Sequence, residues 1–297
     1  MSQSGLAIIS EHNTAGALPP KNSSNPNEQN PAASGSGNIT DPAQDAYDQY
    51  KEDLAKWQRD NALLAEAGQE WSDLIDKIKQ LLSNKTSGST QAAFNIVLYQ
   101  LLGPTLVDKY YGGQQNVQGD VMNMVSDIRT ITNNVQSIFN DSNNKPITPT
   151  QAAQFNESLK DLYAIFQQQK NATDGSQWLD ADSSQNLMAN LDSLYGAFSD
   201  PSKNPIQPGQ DIPIDDLQEM STWWTPQADN SANPQLSLFQ NSLGSLISTI
   251  SSPSQVAQAK ASYMISSQST IEGAIKAIES SMIALEGAAN QKMASGA

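Results

Sequence analysis

The chain has 297 residues, 37% of them apolar and only 6% aromatic, with Gln, Asn and Ser making up much of the rest. That balance suits helices that each bury one narrow stripe better than a thick two-layer core. Its 16 basic against 31 acidic residues leave a formal charge of −15 that disfavours nucleic acid and anionic membrane surfaces, and the absence of cysteine removes disulfides, thiolate nucleophiles and cysteine-held zinc.

Residues 1–42 are rich in Ser, Asn, Pro and Gly, with one apolar patch at Leu6-Ala7-Ile8-Ile9. Such a stretch cannot bury enough area to offset chain entropy, so a disordered leader is expected. It lacks the basic start, apolar run and small-residue cleavage site of a Sec signal. Asp41 followed by Pro42 supplies an N-cap and a first helical residue. From there Tyr50, Leu54, Trp57, Asn61, Leu64, Gly68, Trp71, Ile75, Ile78 and Leu82 follow the 4-3 spacing of a coiled-coil-like seam, with Asn61 and Gly68 as its two defects. A polar turn at 84–90 leads to a second, more apolar helix expected over Gln91–Tyr111, which Gly112-Gly113 ends, so that residues 43–112 make an N-terminal helical hairpin. The apolar window Phe94–Val107 is too short and too interrupted to span a bilayer, so no integral membrane segment is expected.

Residues 113–297 read as a helical bundle. Val117, Val121, Met124, Ile128, Ile131, Val135 and Ile138 make an unbroken seam on a third helix. A fourth helix starts at Thr150 with Phe155, Leu159, Leu162 and Phe166, and a fifth at about Ser183 with Leu187, Leu191, Leu194 and Phe198. Six prolines exclude continuous helix from the excursion at 199–234, leaving one short helix at Asp215–Trp224. The heptad returns at Leu236, Phe239, Leu243, Leu246 and Ile250, is expected to kink or restart at Pro253, and continues as a C-terminal heptad helix over 254–293. That helix carries Met264, Gln268, Ile271, Ile275, Ile278, Met282, Leu285 and Ala289 on its seam, with Glu272, Glu279 and Glu286 on one flank and small residues on the other. No strand of convincing length appears, so the fold class is all-α: an elongated helical bundle with coiled-coil-like heptad helices and a disordered N-terminal leader.

Chemistry finds little to work with. The only histidine, His12, lies in the leader, and there is no glycine-rich phosphate loop. Counting a calcium loop from Asp180 puts Gln185 where the turn glycine belongs and Leu191 where the bidentate Glu belongs, so the acids there read as helix caps. Asp215-Asp216 reads as an acidic helix start. No catalytic, cofactor-binding or metal-binding residue is assigned, and a non-enzymatic protein is expected.

Two features remain as candidate interaction sites. Trp223-Trp224 cannot both face one stripe of a helix, so either one ring is an exposed anchor or both cover the end of the bundle. The stripe Ile271, Ile275, Ile278, Met282 and Leu285 either docks another chain or pairs with the Val117–Ile138 seam.

This order of segments, with leader, hairpin, β-branched central helix, Pro-rich excursion and C-terminal heptad helix, resembles the hydrophilic needle-tip and filament translocator proteins of bacterial type III secretion systems. The resemblance implies that Met1–Asn38 is an export signal and that the hairpin shields the bundle before assembly. It also implies that the central and C-terminal helices pair as a coiled coil and that the C-terminal helix contacts needle subunits or sister copies. The central helix is shorter than such a rod usually needs, and Trp223-Trp224 has no counterpart in the family. The expected function is a secreted or cell-surface structural protein of a type III apparatus, with itself, a needle subunit or an export chaperone as partner and no nucleic acid. Alternatives are an exported effector that binds a host protein and a cytoplasmic bacterial scaffold.

Overall fold

A computed structural model of the chain describes residues 41–83, 104–143, 145–172, 177–198, 205–225 and 233–295. The leader before Asp41, the turn at 84–90, the expected helical stretch 91–103 and parts of the Pro-rich excursion lie outside the described residues. Within them the fold is all-α, with six helices and no strand: α1 Pro42–Ser83, α2 Pro104–Asp141, α3 Pro149–Asn171, α4 Ala181–Gly196, α5 Ile214–Trp223 and α6 Pro234–Ser295.

The local signals in the sequence start these helices. Asp41 accepts the backbone N–H of Ala43 at 3.0 Å, capping α1 just before Pro42. Thr148 and Gln151 form a reciprocal capping box at α3, with Pro149 at the first helical position. Asp180 accepts from the Ser183 backbone N–H and hydroxyl, both at 2.7 Å, and is the cap of α4 rather than a calcium ligand.

Two expected helix boundaries are corrected. Gly112-Gly113 does not end a helix, because α2 runs unbroken from Pro104 to Asp141. Gly113 faces α1, where its Cβ would lie 3.5 Å from Leu64, and Gly68 of α1 faces α2, where its Cβ would lie 3.7 Å from Tyr110. Packing against α1 thus holds the helix through a pair of residues that each cost about 1 kcal/mol in a helix interior. Pro253 likewise neither ends nor restarts a helix; it lies inside α6, which begins at Pro234 and not at 254. Pro253 removes one backbone hydrogen bond, while Ile250 and Ala257, one turn to either side, are both buried on the same stripe and hold the helix through it.

α2 is the central element. α1 lies antiparallel along one side of it, since Lys56 pairs with Asp120 while Glu70 pairs with Lys109. α6 lies antiparallel along another, with Phe139 against Phe239 at one end and Gln115 against Gln268 at the other. All seven expected seam residues of α2 are buried between these neighbours and α3, as are Phe155, Leu159, Leu162 and Phe166 of α3 and Leu187, Leu191 and Leu194 of α4. On α1 the stripe holds at Tyr50, Leu54 and Trp57, then shifts to Ala67 and Leu74, so Trp71 and Ile75 are only half-buried.

The Pro-rich excursion is tied to α3. The Asn156 side chain donates to the Ile212 carbonyl and accepts from its N–H, both at 2.9 Å. Gly209 turns the chain with φ +84°, and any Cβ there would lie 2.6 Å from the Tyr163 ring, so only glycine fits.

Candidate interaction surface

Trp223 and Trp224 resolve the first of the two site questions. Trp223, on the last turn of α5, is 6% exposed, with its ring 5.0 Å from Phe198 and 6.3 Å from Phe239. Trp224, the C-cap residue, is half-buried; its ring lies 5.2 Å from Phe139 and its indole N–H donates to the Ser142 hydroxyl at 3.2 Å. Both rings therefore reach the stacked pair Phe139 and Phe239, Trp223 on the Phe239 side beside Phe198 and Trp224 on the Phe139 side at the end of α2. They need not share a stripe of their own helix, because the cap residue turns the second ring toward a different neighbour. Neither ring is a free-standing anchor.

The α6 stripe is the second. Ile275 is buried, at 6% exposure, and Ile271 and Ile278 are half-buried. They continue the stripe that begins at Phe239, Leu243, Leu246 and Ile250, which packs within the same chain. Met282 and Leu285 lie on α6, but their side chains fall outside the described residues. The polar break at Gln268 has a local explanation: its amide accepts from Gln115 at 3.0 Å and donates to Asp108 at 3.1 Å and to Glu272 at 2.9 Å. A satisfied polar bridge at this point links α6 to the N-terminal third of α2 and sets its register.

What the heptad pattern did not single out is the rest of the α6 surface. Tyr263, Ile265 and Ile283 are 68%, 55% and 65% exposed, and Val256 is also exposed. At about 100° per residue, Val256 and Tyr263 share one side of the helix, while Ile265 and Ile283 stand about 180° from them, so the two sets flank the buried stripe. These residues sit between seam positions, which is why a search for heptads passes over them.

A cleft of about 270 Å³ opens where α1, α2 and the 177–180 segment meet α6 around Pro253. Its walls are mostly apolar, from Trp57, Val117, Val121, Pro253 and Ala257, with Gln118, Gln177, Asp180 and Lys260 at polar positions. The Asp180 carboxylate is already engaged as the α4 cap, and its hydrogen bonds from Ser183 hold it below the usual carboxylate range. Trp178 on the wall donates its indole N–H to the Tyr50 hydroxyl at 3.3 Å.

Across the α1–α2 interface, Lys56 bridges Asp60 and the buried Asp120. Burial, opposed by Lys56, pushes the Asp120 carboxyl up from its ordinary value. Nothing in the sequence marks this pair, because 64 residues separate its members. Farther along the same two helices Trp71 stacks on Tyr110 at 5.5 Å, with Tyr111 edge-on to both.

Among the described residues, no group of three acidic or histidine side chains is placed to hold a metal ion, and no helix is long and apolar enough to cross a membrane. Compared with known proteins, the chain matches no family model, no curated protein and no solved structure.

Proposed function

We propose that this chain is a non-enzymatic structural protein that acts by helix-to-helix assembly, exported through a type III secretion apparatus and working there as a tip-like or translocator-like component. The observation that carries the assembly reading is the division of α6, a 62-residue helix. One stripe of it packs on α2, while Tyr263, Ile265 and Ile283 remain in solvent on its flanks. Large apolar side chains held on the sides of a long rigid helix suit docking to another helix, and a sister copy or a needle subunit presents one. The export half of the reading is supported by the composition of residues 1–40 and by the order of segments from leader to C-terminal heptad helix.

The buried position of Trp223 favours assembly over the effector alternative, because an effector that docked through this ring would first have to unpack it from Phe198 and Phe239. Two experiments test the proposal. Fusion of residues 1–40 to a reporter should give export that depends on a working type III apparatus; export from neither background removes that half. Sedimentation of the full chain should show concentration-dependent association that Ile283→Asp and Tyr263→Asp weaken by tenfold or more without loss of helicity. A strictly monomeric chain at every concentration, with or without a purified needle subunit, refutes assembly.

A further inference from the structure

Where α1 begins, it lies against α3 beside a buried carboxylate. Asp161 of α3 is 6% exposed, and its Oδ2 has no hydrogen-bond partner. The charged and titratable groups that face it are Glu157, one turn earlier on α3, and Asp41, Tyr47, Asp48 and Lys51 from α1. Lys51 is the one cation in this set, and it is already engaged with Asp48 at 2.6 Å while lying 4.6 Å over the Tyr47 ring. Four carboxylates therefore meet one ammonium at the joint.

We propose that residues 42–49, the first turns of α1, form an acid-closed latch on α3, with Asp161 as the group whose proton holds it shut. A protonated Asp161 is a neutral acid whose burial costs little, whereas an ionised one is a desolvated carboxylate facing three others. Burial first, and Glu157 second, push Asp161 up to about 7. The docked state thus binds the proton more tightly than the released state, in which solvent returns Asp161 toward the ordinary carboxylate value of about 4. Docking is fully favoured below that ordinary value and weakens as pH rises through the interval to about 7, by up to roughly tenfold in the opening equilibrium per pH unit, and then levels off.

The next turns of α1 set the hinge. Tyr50 is fully buried and holds the Trp178 indole, and Leu54 and Trp57 are buried in the main core, so the rest of α1 stays docked on α2. Release uncovers Ala43 and Ala46 and frees the end of the helix to which the leader is joined.

Hydrogen–deuterium exchange of the full chain, corrected for intrinsic amide chemistry, tests this from pH 5 to pH 8 over residues 42–53, with residues 128–138 of α2 as reference. The expected result is a loss of protection of at least tenfold in 42–53 relative to the reference, complete by about pH 7 to 8. Asp161→Asn should remove the pH dependence and keep the acid level of protection at pH 8. Glu157→Gln should make the loss smaller and complete it at lower pH. Protection that is equal within about twofold at pH 5 and pH 8 in the unaltered chain overturns the latch. So does an unchanged pH profile in Asp161→Asn or, if that variant does not fold, in Glu157→Gln.

Discussion

Trp223→Ala separates a core tryptophan from an interaction anchor. The indole is almost fully out of water and belongs to a cluster with Phe198 and Phe239, which itself stacks on Phe139 and Phe155. A buried indole removes about 200 Å² from solvent, which at about 25 cal/mol per Å² gives an upper figure near 5 kcal/mol. Truncation of core aromatics to alanine costs about 3–5 kcal/mol once partial collapse of the cavity is included, so about 4 kcal/mol is expected here. That is a large share of the roughly 5–15 kcal/mol of a whole domain and corresponds to a melting point about 10 °C lower. Urea unfolding followed by circular dichroism should show the midpoint falling with the slope unchanged, and Trp223→Phe should recover more than half of the loss. A cost below about 1 kcal/mol in Trp223→Ala would refute the packing argument and make the ring a partner anchor again.

Further expectations rest on other parts of the structure. Lys56→Met leaves Asp120 buried without its cation and should cost about 1–3 kcal/mol at pH 7. Because the Asp120 carboxyl is already raised by burial, this cost should shrink as pH falls toward that raised value, and Lys56→Met/Asp120→Asn should restore most of it; denaturant titrations at pH 7 and pH 5 read both effects. Asp180→Ala removes the α4 cap and should cost about 1 kcal/mol at neutral pH. Its carboxyl is lowered in the folded state, so the difference between the two chains should disappear as acid protonates it, as parallel unfolding curves down to pH 3 would show. Pro253→Ala returns a backbone donor to the middle of α6 and should stabilise by about 1–3 kcal/mol; a loss of stability instead would mean that the ring's packing in the cleft outweighs the missing hydrogen bond.

Single-helix features were legible without coordinates where one short-range force dominates. The seam from Val117 to Ile138 is buried at every position expected, since a β-branched stripe of that length has no alternative but to face other helices. The caps at Asp41 and Asp180 were equally readable, because a cap is decided by atoms three residues apart. The two boundary errors share a cause. Gly112-Gly113 and Pro253 break isolated helices, but here long-range packing on either side of each outweighs a local penalty of a few kcal/mol. The candidate site was legible only in part: Ile275 was identified as a seam residue, yet whether its partner was α2 or another chain could not be read from periodicity, which specifies that a face is buried and not what buries it.

The sequence by itself determined the all-α class, most helix starts and the stripe that each helix hides, because these arise from hydrogen bonds and side-chain spacing within one or two turns. Only the tertiary structure decided that Trp223 and Trp224 close the core from two directions, that Lys56 meets Asp120 and that Asp161 lies under the start of α1. Each of these joins residues tens of positions or more apart, and their energies arise from desolvation and contact between helices, which no local pattern encodes.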